Sequence, residues 1–559
     1  MNVRYTLSQT VEQQSVPGIR SFIVGNDDCY YLHDQMTRFG GWFVRDRDQS
    51  FRVLAEIRGP TSAVQSIHHK FYSVEQERSL FRESFFVSST NKSFVYRINK
   101  PTDMELVFDV NKLGDDRRWG RNYNVTLEGD RTVIRFTKKT DSREDSTNGR
   151  DEYTFFIVIN KIGKIIKRWD EKVYRDEHRD SADYSRLLFR AISLWDSDVI
   201  ITANQDLNDA MDANRRVETQ LHSIIAAERA TVERYSVYPL DVAAAAWVLN
   251  HFGSMHRLTT HDILAQRARV LLGLDITDRL VHYLRSITPD GYILHDLSSV
   301  SDARTSDGIG LLFLRLLDVV PQLSRDERHL AQQKIAHVID LQEKRMVHGL
   351  LSTQHASLLS SPDTSLELQV LQCALYNAGY LLTKNVAYLE AEKALRAAIR
   401  KLFWNGQTLA CGLADFSVSS SIFLAAYYYP ALLSAEEWKT CFTAALNQLW
   451  LDWGGIKEHG SSRLWMNNIA AIVLNRTHRS FFKEYVDKIY AASSIELLWK
   501  GCLGVSAELS DADVLRSQDG VSVLSAATFI ELANELGKMK NTTASGGAFA
   551  TNKNRNYNN

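Results

Sequence analysis

Five stretches of this 559-residue chain set acidic side chains among aromatics and small turn formers: RYSVYPLDVAAAAW (234–247), GYILHDLSSVSDARTSDGIGLLFL (291–314), WNGQTLACGLADFSVSSSIFLAAYYYPALLSAEEW (404–438), GGIKEHGSSRLWMNN (454–468) and GCLGVSAELSDAD (501–513). A protonated carboxyl can donate to a leaving oxygen, an ionised one opposite can activate water, and aromatic faces suit sugar rings. Cleavage of a glycosidic bond uses all three. Taken singly, each stretch is weak support, so their order along the chain matters more than any one of them.

Other chemistries have less to stand on. The five cysteines (Cys29, Cys373, Cys411, Cys441, Cys502) are scattered and never in CxxC spacing, which argues against a disulfide framework and a thiolate metal site, and for a reducing, cytoplasmic compartment. His295 and His459 lie near acids but in no HxxxH pair, so no metal is expected. GxGxxG and GxxxxGK[ST] are absent in usable context, and no cofactor is expected. Sixty-six Lys and Arg against 67 Asp and Glu give a net charge of -1, which offers nucleic acid no basic field. Apolar runs stop short of the roughly 18 to 20 residues that a membrane span needs, so no membrane partner is expected either.

These residues need a frame. With 44% hydrophobic residues and 8 Pro, the chain is too long for one core and too apolar to be largely disordered. Period-2 alternation predicts strands in SFVYRINK (93–100), MELVFDV (104–110), NVTLEGDRTVIRFTKK (124–139) and EYTFFIVINKIGKIIKRWDE (152–171), with a polar surface loop over 138–152. From about 186 the spacing turns helical. Residues 186–235 read as one or two long helices, and at least ten further helix-length segments follow, with Asp363 and Ser434 among the capping residues. Uneven loops and no fixed repeat favour a toroid of paired helices, with its loops converging at one mouth. The expected organisation is multidomain β + α: an antiparallel β-sandwich over 1–185, a helical linker over 186–234, an (α/α)6 toroid over 235–540, and a disordered tail over 541–559.

The order of the acidic stretches resembles the catalytic domain of glycogen debranching enzymes, the amylo-alpha-1,6-glucosidase family related to glucoamylases. SDARTSDGIGLLFL is similar to the family's loop with an Asp ahead of an apolar helix, which implies Asp307 as general acid. SLELQVLQCALYNAG resembles V-E-x-x-x-L-x-Y-N-A and puts Glu367 at a sugar-binding position. ADFSVSSSIFLAAYYYPALLSAEE looks like D-x-S-I-R-P-N-Q-x-F-A-x-S-x-P-x-x-L-L-S-x-E, with Asp415, Phe423, Pro430 and Ser434 in register. GCLGVSAELSDADVLRSQDGVSVLSAATFIEL resembles the G-x-L-x-E stretch and its following helix, which implies Glu508 as general base. YPLDVAAAAWVLNHFG is similar to a W-G-R-D-T helix start and places Asp241 as a substrate-binding residue.

The resemblance covers about 235–540 and implies inverting hydrolysis of terminal alpha-glucosidic bonds in an alpha-glucan or oligosaccharide. Substrate-holding blocks depart from it: Val418-Ser419-Ser420-Ser421 replaces Arg-Pro-Asn-Gln, and Val523-Leu524-Ser525-Ala526 replaces Gln-Ala-Trp-Ser. A disaccharide phosphorylase and a non-catalytic glycan binder are therefore the alternatives. Glu458 is the rival base, and Trp465, with Trp404, Trp453 and the Tyr427–Tyr429 run, is a sugar-platform or core residue. The bland role for Asp307 is an ordinary N-cap, and for Glu508 a solvated acidic turn.

Overall fold

The computed structural model describes residues 1–540 except 8–9, 19, 35–39, 48, 61, 101, 114, 116–119, 141–148, 164–165, 172–184, 191–192, 195–197, 254–257, 295–302, 354, 356–363, 414, 459 and 516–520. The expected loop core at 141–148, Asp363, His295, His459 and the tail thus lie outside the described residues.

The N-terminal part is a β-sandwich. Its ten-stranded sheet carries the expected hairpin Arg121–Glu128/Arg131–Lys139, then Asp151–Ile159, and reaches Asn2–Leu7 through Ser93–Ile98. The second sheet has six strands, from Glu105–Lys112 through Ser21–Asn26 to Cys502–Leu503 at its edge. Aromatics alternate inward along the strands and meet between the sheets: Tyr31 stacks on Phe94 at 4.6 Å, Phe22 tilts against Phe85 at 5.1 Å, and Phe51 meets Phe155 at 4.7 Å. A buried ion cluster sits in this apolar layer. Asp109 is held by Arg52 at 2.5 Å and Arg121 at 2.7 Å, so its charge is compensated on both oxygens.

The helical reading of 186–235 needs correction. Ser185–Arg190 and Ser193–Leu194 are strands, and Val199–Asn204 is a central strand of the ten-stranded sheet, between Asp151–Ile159 and Ser93–Ile98. Among the described residues there, helix is confined to α1 (Leu207–Glu233), capped by Asp206 and laid on that sheet, and the 3-10 turn that follows it from Arg234. Asn214 of α1 donates to the carbonyls of Val158 and Ile200, both at 3.1 Å.

Among the described residues, twelve further α-helical stretches form six hairpins. The outer members are α2 (Leu240–His251), α4 (Thr277–Arg285), α6 (Arg325–Glu343), α8 (Ala387–Phe403) and α10 (Ala435–Leu449); the inner ones are α3 (Thr259–Leu271), α5 (Gly308–Leu316), α7 (Leu366–Thr383), α9 (Ser421–Tyr428) and α12 (Val523–Glu535). α11 (Leu464–Trp499) is broken at His478 (φ -155, ψ 71) into an inner half, which pairs with α10, and an outer half, which pairs with α12. Inner helices close a ring in the order α3, α5, α7, α9, α11, α12 and back to α3.

Burial explains the two layers. Outer α8 buries only Glu392, Leu395, Ile399 and Phe403, one stripe at three- and four-residue spacing, whereas inner α7 is buried continuously from Leu366 to Tyr376. Capping sets where several helices start: Ser434 and Glu437 form a capping box on α10, as Ser324 and Glu327 do on α6. Because every inner helix follows an outer one, all six inner helices run the same way. Their N-terminal heads share one mouth.

Candidate active site

The heads of the inner helices are where the sequence's acids collect. Asp307 stands at the N-cap position of α5 and is 1% exposed, yet its side chain makes no capping bond. Thr305 takes that role: its hydroxyl oxygen accepts the Gly308 amide at 2.8 Å, while the hydroxyl donates to Asp307 Oδ1 at 2.6 Å. The ordinary-cap reading of Asp307 thus falls to the residue two positions earlier.

Glu367 is the second residue of α7 and fully buried; Ser365, not Glu367, caps this helix through the Leu368 amide. Tyr428, at the end of α9, is buried, and its hydroxyl has no hydrogen-bond partner among the described residues. Burial, then the charges of Glu367 and Asp307, drive the Tyr428 phenol well above its ordinary 10, so the three side chains occupy one electrostatic neighbourhood. The tyrosine run is buried as a whole, as a core run would be. Tyr427 donates to Glu531 of α12 at 2.6 Å, and Tyr429 bonds Glu392. Burial raises Glu531 from its ordinary 4.5, against the pull of Arg315.

At the head of α11 the chain builds a small antiparallel sheet from Trp450–Leu451, Gly455–Glu458, Ser461–Arg463 and Leu509–Asp511. Arg463, paired opposite Leu509, reaches Glu458 Oε2 with Nε at 3.1 Å and Glu508 Oε1 with Nη1 at 3.3 Å. Glu508 and its rival Glu458 are thereby held on one guanidinium. Their side chains are partly exposed, Glu508 more than Glu458, and the Leu464 amide donates to the Glu508 carbonyl at 2.9 Å. Since α5 and α11 are three places apart in a ring of six, Asp307 and Glu508 belong to opposite heads.

The remaining candidates are more scattered. Trp465, second in α11, is fully buried, and its indole N–H has no partner among the described residues. Asp415 is exposed, accepts the Ser417 amide at 2.9 Å, and lies on a loop joined to the α7 head where the Leu366 amide meets the Cys411 carbonyl at 2.8 Å. Asp241 is elsewhere. It is on outer α2, where Tyr490 and Ser494 from the outer half of α11 donate to its Oδ2 at 2.8 and 2.9 Å. This geometry pins two outer helices together rather than presenting a carboxylate at an inner head. No cluster of His, Cys, Asp and Glu able to hold a metal occurs among the described residues. No described helix is long and apolar enough to cross a membrane.

Thr305 and Arg463 are the neighbours that sequence reasoning did not single out. Thr305 had a legible signal, a hydroxyl three residues before a helix amide; Arg463 had none for Glu508, which lies 45 residues on, just before the strand Leu509–Asp511 that pairs with Ser461–Arg463.

No family model matches the chain, and no curated protein matches it in sequence. Among solved structures, a bacterial glucoamylase complexed with acarbose matches with a TM-score of 0.64 at 11% identity, over 93% of this chain and 94% of that one. A glycosidase in complex with glucose (TM-score 0.37, 12% identity, 55% of this chain and 87% of that one) and a D-mannose isomerase (TM-score 0.37, 13% identity, 51% and 87%) are also matched. Over nearly its whole length the chain is similar in fold to that glucoamylase: a β-sandwich joined to an (α/α)6 toroid.

Proposed function

We propose that the chain is a glycoside hydrolase of the debranching type, which releases glucose from terminal alpha-glucosidic ends of glycogen-like or oligosaccharide substrates with inversion. The carrying observation is the pair of carboxylates on opposite inner heads, Asp307 on α5 and Glu508 in the α11–α12 connection, where it meets Arg463 and the Leu464 amide at the head of α11, in a fold similar to that of a glucoamylase bound to acarbose. In this reading Asp307 protonates the glycosidic oxygen. Thr305 orients it, and because Thr305 also satisfies the Gly308 amide, the helix makes no demand on the Asp307 charge.

Glu508 activates a water on the other face of the sugar. Its ion pair with Arg463 favours the charged form that a base must have. Glu367 and Asp415, on the α7 head and its adjoining loop, are the sugar-hydroxyl ligands, and Trp465 supports the α11 head from the core. Hydrolysis suits this arrangement better than phosphorolysis, because Arg463 already serves two carboxylates whose charge would repel a phosphate. Five unpaired cysteines support a reducing, cytoplasmic setting.

Proton NMR of the protein with short glucans bearing alpha-1,6 and alpha-1,4 ends, with and without phosphate, tests the reading. Beta-glucose appearing first, and lost in Asp307→Asn and Glu508→Gln, is the expected result. Alpha-glucose first would remove the inverting mechanism, phosphate-dependent release would point to a phosphorylase, and binding without release would make the chain a glycan binder.

A further inference from the structure

Behind Glu508 lies a set of contacts that acid–base chemistry does not itself require. Glu496, in the outer half of α11, is 1% exposed. Its Oε2 accepts the Ser506 hydroxyl at 3.0 Å and its Oε1 accepts the Ala507 amide at 3.1 Å, so a buried carboxylate grips the backbone one residue before Glu508. Bonds to a carboxylate are the stronger kind, and both oxygens are used.

The same loop is built into the β-sandwich. Cys502 and Leu503 add a parallel strand to the six-stranded sheet beside Ser21 and Phe22. Just ahead of it, the Tyr5 hydroxyl donates to the Leu498 carbonyl at 2.8 Å. Gly504 follows at φ 79, its amide on the Leu497 carbonyl at 3.0 Å, and the His69 ring lies so near that a Cβ there would stand 3.3 Å from Cε1. Beyond Glu496's grip, the Ser522 amide donates to the Ser506 carbonyl at 2.6 Å, tying the loop to the head of α12. The segment from Leu497 to Ala507 is therefore fixed by the sandwich on one side and by Glu496 on the other.

We propose that Glu496 is a positioning residue for Glu508, and that the β-sandwich is a working part of the site because it holds the loop that Glu496 locks. The proposal rests on the reading of Glu508 as the water-activating base. The physical need is plain: a base must stay within about 0.5 Å of its productive place, and a loop achieves this only if its backbone is tied down. Removing a partner from a buried carboxylate leaves the group's solvation unmet, so the grip resists opening.

Hydrogen exchange followed by mass spectrometry on the full chain, together with kcat and KM on a short maltooligosaccharide, tests it in Glu496→Gln, Ser506→Ala and Tyr5→Phe. In Glu496→Gln the amides of 505–509 should exchange at least about tenfold faster while those of α5 and α7 stay unchanged, and kcat should fall at least about tenfold with KM within about twofold. Ser506→Ala, which keeps the Ala507 bond, should give a smaller effect of the same pattern, and it carries the test if Glu496→Gln does not fold. Tyr5→Phe should loosen the same loop from the sandwich side. Unchanged exchange at 505–509, or a loosened loop with unchanged kcat, overturns the proposal. A wild-type chain that releases no sugar overturns the base reading and the catalytic half of the proposal, while the exchange data still decide whether Glu496 and the sandwich fix the loop.

Discussion

The Thr305 hydroxyl donates to Asp307 Oδ1 at 2.6 Å and accepts the Gly308 amide, so one side chain both caps α5 and orients the carboxylate at its head. Thr305 and Asp307 thus divide work that the sequence pattern would give to Asp307 alone. Asp307→Asn should leave thermal stability nearly unchanged and lower glucose release by about 10²- to 10⁴-fold, the range for a lost general acid. Thr305→Ala should cost about 1 kcal/mol of stability as well as activity. Paired thermal melts and product assays check this, and a large stability loss in Asp307→Asn would return the residue to a structural role.

Arg463 makes Glu458 and Glu508 distinguishable by substitution. On the proposed assignment of Glu508 as base, Glu508→Gln should remove activity by about 10²- to 10⁴-fold, whereas Glu458→Gln should keep it within about tenfold, because Arg463 retains its bond to Glu508. Steady-state rates of the two variants settle the assignment, and the reverse ranking would make Glu458 the base.

The inner ring should be sensitive to added volume where two helices touch. A Cβ on Gly310 of α5 would stand 2.8 Å from the Leu371 Cβ of α7, both on inner helices. Gly310→Ala should therefore destabilise by about 1–3 kcal/mol, the gain in helix propensity notwithstanding. Denaturant unfolding measures it; a variant as stable as wild type would mean that α5 and α7 can separate without cost.

Three histidines, His69 buried and His33 and His251 half-buried, predict a pH window. Burial, then the Arg78 charge, lowers His33 to about 4; burial lowers His69 to about 3; and burial, then Arg234, lowers His251 to about 4, all from an ordinary 6.5. With folded pKa values below unfolded ones, these groups are neutral in the fold. Their stability is fully present above 6.5 and is lost as pH falls toward 4 and 3, where the unfolded chain binds protons that the fold refuses. Unfolding free energies at pH 7, 5.5 and 4.5 should fall steadily, and a flat profile would contradict it.

A second window lies lower. The Arg400 guanidinium, at 2.6 Å, and the Ser434 amide hold Glu437 at about 2, below its ordinary 4.5. Its contribution is present above 4.5 and disappears as pH falls toward 2. Glu437→Gln should accordingly be less stable than wild type at pH 6, with the gap narrowing below pH 4.5 in the same unfolding measurements.

The amino-acid sequence by itself determined the local elements whose burial leaves a periodic mark. The hairpin 121–139, the single stripe of α8 and the capping box at Ser434 were legible because one face meets water and the other does not. Val199–Asn204 was not. As a central strand under α1 it is buried from Val199 to Ala203, so the alternation that marks a strand is erased. The order of acids along the helical half likewise marked the stretches bearing Asp307, Glu367 and Glu508.

Only the tertiary structure decided how those acids are used. Thr305 took the cap from Asp307, and the pairing of Ser461–Arg463 with Leu509–Asp511 brought Arg463 to both Glu458 and Glu508. Asp241 went to an outer helix, although its sequence setting resembled a substrate-binding helix start. The reason is that a carboxylate's role follows from its partners. Partners supplied by ring closure and by strands tens of residues away have no periodicity for the sequence to display.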